Sequence, residues 1–285
     1  MTPPPALLDA WDLRVTGDLG GRLNQHWQVR DGTERATLRR WHGPEAEVQY
    51  ELGILSLIDG TGLDLPTLRR GPWSMDGVWW SLHGFVSGDP APREEARTRG
   101  RWLAELHARW RDLPLPHPRP GWSDLQAVLN EPATDALLNA HEATNPADVR
   151  LYRWHLHRAR AALTGLHFSA RPQTLIHGDF TPWNLRVQSG VWTGLLDFEF
   201  ARPADPIEEF ALAWRGLHDD VVHGYAEHTP LTDEDFALLT PLWWAHLLSP
   251  ALHDLGRGVR DDGWTARKLC VRSPLMGDLA APYPG

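Results

Sequence analysis

The sequence predicts an α+β fold, because strand-like and helix-like patterns occupy different parts of the chain. In residues 1–87, short stretches that favour strands are separated by turn-forming Asp-Gly pairs. Most of residues 88–285 instead carries apolar residues at the spacing of amphipathic helices. One strand-like stretch, residues 174–200, interrupts this helical part.

Residues 1–87 are predicted to form a small antiparallel sheet with one helix. The pairs Asp31-Gly32 and Asp76-Gly77 are typical of two-residue hairpin turns. Between these turns, Pro44 begins a helix whose apolar positions share one face. The predicted elements are strands at residues 13–15, 26–30, 35–41 and 78–86, a glycine-containing loop at residues 16–21, and a helix at residues 44–59.

The segment Ser-Gly-Asp-Pro at residues 87–90 disfavours regular structure and is the predicted boundary between two lobes. Residues 1–87 are predicted to form an N-terminal lobe, and residues 88–285 a larger, mainly helical C-terminal lobe. In the second lobe, helices are predicted at residues 92–112 and 146–163 and again from Asp205 onwards. A hairpin that turns at Ser189-Gly190 lies between them.

The composition limits the classes of function. A formal net charge of -9 argues against a nucleic-acid-binding protein, which needs a basic surface. Neither a signal peptide nor a membrane span is expected from the apolar stretches. Cys270 is the only cysteine, so no intramolecular disulfide forms and a reducing cytoplasm is expected. A small-molecule substrate is favoured, the acidic balance permits a cationic one, and the oligomeric state stays open.

Three polar residues stand at the ends of strand-like segments within residues 174–200. Asp179 follows an apolar strand, Asn184 comes shortly after it, and Asp197 follows a second apolar strand. Phosphoryl transfer requires such a set of residues. The oxygens of Asn184 and Asp197 are suited to hold the divalent metal that neutralises nucleotide phosphates. A separate carboxylate, here Asp179, is suited to accept the proton of the attacking hydroxyl.

The motif HGD-x4-N at residues 177–184, followed by DFE at residues 197–199, resembles a known catalytic segment. It is similar to that of the superfamily of aminoglycoside phosphotransferases, homoserine kinases and choline kinases, which are relatives of protein kinases. The segment LAELH at residues 103–107 resembles a second motif of that family. The resemblance covers roughly residues 13–215. It implies a two-lobed protein-kinase-like fold and ATP-dependent transfer of the γ-phosphoryl group to a hydroxyl of a small molecule.

The same resemblance implies that residues 1–87 are the nucleotide-binding lobe and residues 88–285 the lobe for catalysis and substrate binding. It also implies roles for individual residues. Asp179 would be the catalytic base, and Asn184 and Asp197 would bind Mg²⁺. Gly17, Gly20 and Gly21 would form a loop over the ATP phosphates, and the backbone of His83 to Phe85 would contact the adenine at the lobe hinge. The implied cofactors are ATP and Mg²⁺, and the residues do not distinguish ATP from GTP.

The residue that contacts the α- and β-phosphates is the main departure from protein kinases. Those enzymes use a lysine of the third strand, paired with a helix glutamate. Lys268 is the only lysine in the chain, and the third strand carries Arg39 and Arg40 instead. Successive strand residues point to opposite faces, so only one of the two arginines can point towards the phosphates. Arg39 is predicted to bind the nucleotide and to pair with Glu51, and Arg40 and Glu47 are the alternatives.

Three functions are compatible with the residues: an active small-molecule kinase, a pseudokinase that binds nucleotide without turnover, and a metal-dependent phosphoesterase. Intact Asp179, Asn184 and Asp197 favour the first. The phosphoesterase would require more metal-binding side chains near Asp179. The acceptor stays open among aminoglycosides, homoserine-like amino alcohols, choline-like amines and sugars. Four acidic residues favour a cationic group on it, namely Glu199, Asp205, Asp219 and Asp220.

Overall fold

A computed structural model describes residues 2–21, 24–122, 125–130, 132–164, 166, 171–259 and 262–284. The chain divides into two compact units. The first unit comprises Met1–Ala91 and Pro182–Ala201, and the second comprises Pro92–Thr181 and Arg202–Gly285. The strand-rich and helix-rich parts are both present, which confirms the α+β class. A boundary between independent lobes at residue 87 stays a prediction.

The helices and strands are listed here in chain order. The helices are α1 (Pro5–Trp11), α2 (Glu45–Ile58), α3 (Ala96–Trp110), α4 (Leu125–Asn130), α5 (Pro132–His141), α6 (Pro146–Leu163), α7 (Phe210–Ala213), α8 (Asp219–Ala226), α9 (Asp233–Gly256) and α10 (Trp264–Leu269). The strands are β1 (Leu13–Gly20), β2 (Gln25–Asp31), β3 (Glu34–Trp41), β4 (Leu68–Met75), β5 (Val78–Gly84), β6 (Asp89–Pro90), β7 (Thr174–Ile176), β8 (Leu185–Gln188), β9 (Val191–Leu195) and β10 (Arg202–Ala204).

The first unit is built on a five-stranded antiparallel sheet with the order β1-β2-β3-β5-β4. The turn between β4 and β5 lies at Asp76-Gly77, as predicted. Both residues have positive φ, 51° and 73°, which matches the twist of a two-residue hairpin turn. Trp27, Leu38 and Trp80 belong to the buried core on one face of this sheet. Apolar residues of three neighbouring strands therefore cover this face of the sheet.

Two features of the first unit differ from the sequence expectations. Helix α1 has no periodic pattern to reveal it, because it is short and Leu7 is its one buried residue. The loop predicted at residues 16–21 is the second difference, since most of it continues strand β1. That strand pairs with β2 as far as Gly20 opposite His26. Two irregularities in the strand register, after Val15 and after Asp18, accompany this extension.

A three-stranded antiparallel sheet with the order β6-β8-β9 completes the first unit. The hairpin of β8 and β9 turns at Ser189-Gly190, as predicted, and both residues have positive φ. Asp89 pairs with Val187 across β6 and β8. This pairing explains why residues 182–201 belong to the first unit although they follow helices of the second in sequence.

The second unit is mainly helical, and its core is rich in tryptophan. Trp110, Trp214, Trp243 and Trp244 are each at most 1% exposed, so these rings are core residues. The short strands β7 and β10 pair antiparallel and carry the segment before Asp179. Within the ranges that the structure describes, none of the helices combines the length and apolar character needed to cross a membrane.

Helices α3 and α8 of the second unit pack closely because glycines lie at their contact. A Cβ on Gly100 would lie 2.0 Å from the carbonyl oxygen of Val221. A Cβ on Gly224 would lie 2.0 Å from the carbonyl oxygen of Arg97. Any side chain at either glycine would push the two helices apart. The first turn of α8 therefore lies directly against α3.

Candidate active site

The segment that carries Asp179 is fixed by a buried glutamate. Just beyond β7, the backbone amide of His177 donates a 2.8 Å hydrogen bond to Oε2 of Glu209, and that of Gly178 donates one of 2.8 Å to Oε1. The amide of Asp179 then donates to Nδ1 of His177 at 3.2 Å. The ring of His177 therefore helps to anchor the loop.

Glu209 is fully buried and surrounded by groups that stabilise its charge. One carboxylate oxygen lies 3.6 Å from Nε2 of His107, whose Nδ1 shares a 3.0 Å hydrogen bond with the hydroxyl of Tyr225. Burial alone would raise the pKa of Glu209, but His107, His177 and the donated amides hold it below its usual value. Sequence reasoning misses this residue. The available signal is that His107 ends the LAELH motif, to which no role could be given.

Asp179 itself is nearly buried, at 9% exposure. Its Oδ1 lies 3.4 Å from Nη2 of Arg215, which follows α7 and has a left-handed backbone with φ 56°. Nε of Arg215 donates to the carbonyl oxygen of Leu212 at 2.8 Å, which orients the guanidinium. Sequence reasoning also misses Arg215, because no local pattern relates residues that lie 36 positions apart.

The β8–β9 hairpin brings Asn184 and Asp197 together. Asn184 immediately precedes β8, and Asp197 follows the end of β9. Leu185 pairs with Leu195 across the hairpin, and the amide of Leu196 donates to the carbonyl oxygen of Asn184 at 2.8 Å. Both predicted metal ligands therefore stand at the end of the hairpin opposite its turn.

The backbone at Asp197 is unusual, because its φ of 63° lies in the left-handed region. Such conformations cost about 1–3 kcal/mol in non-glycine residues and cluster at functional sites. Among the described residues, no group of three or more His, Cys, Asp or Glu side chains could hold a metal ion. Two oxygen ligands from Asn184 and Asp197 fit Mg²⁺, because Mg²⁺ usually completes its shell with phosphates and water.

The pair predicted between Arg39 and Glu51 is present and buried. Nη2 of Arg39 lies 3.0 Å from Oε2 of Glu51, and Nη1 contacts Oε1, so the pairing is bidentate. The two residues are only 4% and 2% exposed. Arg40 instead donates from Nη1 to Oε1 of Gln25 at 3.0 Å. This placement agrees with Arg39 as the kinase-like position of β3, and its contact with nucleotide stays a prediction.

The three glycines predicted to cover the phosphates are not equivalent. Gly17 lies within β1, and a Cβ there would meet only an ordinary contact. Gly20 and Gly21 have φ of 71° and 128°, and a Cβ on Gly21 would lie 1.9 Å from the carbonyl oxygen of Asn24. The turn therefore favours glycine at these two positions but not at Gly17. Residues 22 and 23 lie outside the described residues.

The predicted adenine-binding segment, from His83 to Phe85, lies at the end of β5. The ring of His83 is buried, with Nδ1 donating to the carbonyl oxygen of Pro66 at 2.8 Å and Nε2 accepting from Ser81 at 2.7 Å. Burial is the largest cause that lowers its pKa to about 4. The ring of Phe85 lies 3.7 Å from the guanidinium carbon of Arg35. Both side chains are thus engaged within the first unit, and an adenine contact would involve the backbone.

Most of the acidic residues that favoured a cationic acceptor have partners of their own. Three of the four accept hydrogen bonds within their own unit: Glu199 from Asn24, Asp205 from Arg171 and the amide of Ile207, and Asp219 from Trp214 and Ser273. The fourth, Asp220, is exposed on α8. Their charges therefore give little support for a cationic acceptor.

The model of the phosphotransferase enzyme family, abbreviated APH, matches residues 14–237. This match includes Arg39, the segment of Asp179 and the β8–β9 hairpin. The chain belongs to this phosphotransferase enzyme family. The family and the enzyme class predicted from the motifs, a small-molecule kinase, are thereby confirmed. No curated protein sequence matches the chain significantly.

Solved structures show that this phosphotransferase shares its fold with antibiotic kinases. The GDP complex of wild-type aminoglycoside 2'-phosphotransferase-IIIa is 17% identical, with a TM-score of 0.69 over 96% of each chain. An aminoglycoside phosphotransferase from Alicyclobacillus acidocaldarius is 14% identical, with a TM-score of 0.68 over 98% of this chain and 95% of that one. An amicoumacin kinase is 12% identical, with a TM-score of 0.63 over 94% and 89%. These matches confirm the protein-kinase-like fold class.

In this phosphotransferase, Arg39→Ala is expected to raise the KM for ATP by about tenfold or more, because hydrogen bonds to charged groups contribute about 1.5–3 kcal/mol. The same change leaves Glu51 buried without its partner, so the free energy of unfolding is expected to fall by about 3–5 kcal/mol. Steady-state kinetics and urea denaturation measure the two effects. Arg40→Ala is the matched control and should change both far less. A KM for ATP that rises in Arg40→Ala but not in Arg39→Ala would show that Arg40, and not Arg39, contacts the nucleotide.

Glu209→Gln is expected to lower kcat by about tenfold to a hundredfold while changing the KM for ATP little. Glutamine keeps the size of the side chain but turns an NH₂ group towards one of the amides of His177 and Gly178. One buried donor then lacks an acceptor, which costs about 1–3 kcal/mol of stability. Kinetics and denaturation of this variant are compared with those of Glu105→Gln, which alters an exposed glutamate. A wild-type kcat in Glu209→Gln would show that Glu209 is not needed to position Asp179.

Proposed function

We propose that this phosphotransferase transfers the γ-phosphoryl group of ATP to a hydroxyl group of a small molecule. The observation that carries the proposal is the joint placement of Asn184 and Asp197 at one end of the β8–β9 hairpin. Two oxygen ligands in that arrangement, preceded along the chain by the anchored carboxylate of Asp179, meet the requirements of phosphoryl transfer.

Asp179 is the proposed catalytic base. The hydroxyl oxygen of the acceptor forms a bond to the γ-phosphorus, and its proton passes to a carboxylate oxygen of Asp179. The bond from the γ-phosphorus to the bridging oxygen breaks, and ADP leaves with the electron pair. The amides held by Glu209 keep Asp179 in position for this step.

Asn184 and Asp197 are the proposed Mg²⁺ ligands. Their amide and carboxylate oxygens are the hard donors that Mg²⁺ prefers. Bound Mg²⁺ would supply charge neutralisation at the β- and γ-phosphates. Asn184 is 4% exposed, and its backbone carbonyl oxygen accepts a hydrogen bond from the amide of Leu196. The backbone that carries this proposed ligand is therefore fixed.

Arg39 is the proposed contact to the α- and β-phosphates. Its Nη atoms pair with Glu51, while Nε is buried without a hydrogen-bond partner in the described part of the chain. A guanidinium held in this way keeps its charge and can donate further hydrogen bonds to phosphate oxygens. The other proposed nucleotide contacts are the turn formed by Gly17, Gly20 and Gly21, and the backbone from His83 to Phe85.

Ligands named for proteins of the same fold support a nucleotide and a divalent cation here. One matched structure is a GDP complex, and the amicoumacin kinase is a complex with AMP-PNP and Ca²⁺. Adenine and guanine nucleotides are both represented, so the base preference of this phosphotransferase is a question for experiment.

Titration calorimetry with ATP and with GTP, each with and without Mg²⁺, tests the first half of the proposal. We expect Mg²⁺ to tighten ATP binding by about tenfold or more, because Asn184 and Asp197 would hold the ion that neutralises the phosphate charges. The second half is tested by ADP formation with hydroxyl compounds as acceptors. ATP binding without ADP formation, in water or with any acceptor, would identify a nucleotide-binding module without turnover and contradict the proposal.

A further inference from the structure

An arginine of the second unit contacts Asp179. Arg215 lies 3.4 Å from Asp179 and begins the short segment that leads to His218 and α8. Burial is the largest cause that lowers the pKa of His218, and the charges of Arg99, Arg215 and Lys268 lower it further. Arg99, Arg215, His218 and Lys268 are called the basic cluster below.

Arg99 is buried and incompletely hydrogen-bonded. It is 1% exposed, and its Nη1 donates to the carbonyl oxygens of Pro92 and Arg93, both at 2.8 Å. Its Nη2 is buried, and no hydrogen-bond partner is found for it among the residues described. A buried polar group that lacks a partner costs stability. The position of Arg99 is therefore suited to an acceptor atom that arrives with a ligand.

The tight packing of α3 on α8 places Arg99 near His218. Gly100, the neighbour of Arg99, meets the first turn of α8 at Val221. His218 is the residue that directly precedes this turn. A glycine contact therefore brings two members of the basic cluster close to each other, although more than a hundred positions separate them in sequence.

The acidic residues near the basic cluster do not neutralise it fully. Asp219 raises the pKa of His218, but its carboxylate is shared between Nε1 of Trp214 and the hydroxyl of Ser273. Three further acids in this region are exposed, where water and salt screen their charges: Glu94, Glu95 and Asp220. In a chain with a formal net charge of -9, composition alone explains neither an arginine in contact with the proposed base nor the burial of Arg99.

We propose that the acceptor of this phosphotransferase carries an anionic oxygen group, a carboxylate or a phosphate monoester, which the basic cluster binds beside Asp179. The planar guanidinium groups of Arg215 and Arg99 match the geometry of both kinds of anion. The inference rests on the proposed function, because it takes Asp179 as the base that receives the hydroxyl proton. It replaces the expectation of a cationic acceptor.

The anionic group takes no part in the chemical step. The hydroxyl oxygen of the acceptor bonds to the γ-phosphorus, its proton passes to Asp179, and ADP leaves. The anion instead holds the acceptor so that its hydroxyl stays next to Asp179, which raises the effective concentration of the reacting group. Its loss is therefore expected to raise the KM for the acceptor more than it lowers kcat.

Four compounds with the same three-carbon skeleton test the charge preference: glycerate, glycerol phosphate, glycerol and aminopropanediol. ADP formation with Mg²⁺ and ATP is measured for each. We expect kcat/KM for glycerate or glycerol phosphate to exceed that for glycerol by about tenfold or more, and that for aminopropanediol to be lowest. The two anions distinguish a carboxylate site from a phosphate site. An amine or neutral compound that performs as well as both anions would overturn the proposal.

Variants connect the preference to the basic cluster. Arg215→Gln is expected to raise the KM for the preferred anion by about tenfold or more and to abolish its advantage over glycerol. Lys268→Gln alters a partly exposed residue outside the core and should reduce the advantage by a smaller factor. Arg153→Gln, whose arginine pairs with Glu142 on the surface, is the matched control and should keep the wild-type ranking. An unchanged ranking in both test variants would overturn the proposal.

Two further outcomes separate this inference from the proposed function. An equal loss of kcat for all four compounds in Arg215→Gln would assign the arginine to the transferred phosphoryl group and contradict an acceptor-anion site. If none of the compounds is turned over, binding of both anions to the AMP-PNP-loaded protein is measured by calorimetry, and no binding at millimolar concentration contradicts the inference. Failure to bind ATP with Mg²⁺ would contradict the proposed function itself.

Discussion

Asp179→Asn is expected to reduce the rate of phosphoryl transfer by about 10²–10⁴-fold, the usual contribution of a positioned general base. The amide keeps the size of the carboxylate and retains an oxygen for Arg215, but it cannot take up the proton of the acceptor. Nucleotide affinity is expected to stay close to that of the wild type, because the proposed phosphate and metal contacts come from other residues.

The effect of Asp179→Asn is measured as kcat for ADP formation at saturating ATP, and ATP affinity is measured separately by calorimetry. Asp220→Asn is the matched control, because it makes the same chemical change on the exposed side of α8. A variant at position 179 that keeps the wild-type kcat would show that this carboxylate is not the base.

Asp197→Asn is expected to abolish the tightening of ATP binding by Mg²⁺ and to lower kcat by about 10³-fold or more. The change removes the charge of one of two proposed metal ligands. Asparagine tolerates the left-handed backbone that Asp197 adopts, so the β8–β9 hairpin should stay folded. Calorimetry with and without Mg²⁺, together with kcat, measures the effect.

Asp76→Asn provides a close control for Asp197→Asn. Asp76 also has a left-handed backbone, with φ 51°, but it lies in the exposed hairpin turn between β4 and β5. It should bind ATP and turn over like the wild type. If Asp197→Asn keeps the full response to Mg²⁺, Asp197 is not a metal ligand.

Features carried by local patterns could be predicted from the sequence. The pairing of Arg39 with Glu51 is one example, because strand alternation selects one of two neighbouring arginines and helical spacing limits the choice of glutamate. The hairpins at Asp76-Gly77 and Ser189-Gly190 are others, because the turn chemistry is local. These features hold even though the chain has no lysine at the usual position.

Features that depend on packing between distant segments could not be predicted. Glu209 binds the backbone amides next to Asp179 from 31 and 32 positions away, and Arg215 contacts Asp179 across 36 positions. Nothing in the local sequence of either residue indicates these contacts. The glycine contact between α3 and α8, which places Arg99 near His218, is equally invisible until the helices are packed.

The charges counted in the sequence do not by themselves show what a substrate would contact, because their partners come from distant segments. Asp205 and Asp219 add to the acidic composition, yet in the folded chain both accept hydrogen bonds from fixed partners. Arg215 adds nothing distinctive to the composition, yet it is the cation that contacts Asp179. Whether a charged side chain can bind a substrate group depends on its partners in the folded chain as well as on its sign.

Phosphorus NMR of ATP incubated with the protein, Mg²⁺ and a hydroxyl compound as acceptor follows most directly whether the γ-phosphoryl group is transferred. The proposed roles of Asp179, Asn184 and Asp197 predict ADP as the nucleotide product, a requirement for Mg²⁺, and loss of the reaction in Asp179→Asn. Release of AMP, or consumption of ATP that is equally fast in Asp179→Asn, would contradict them.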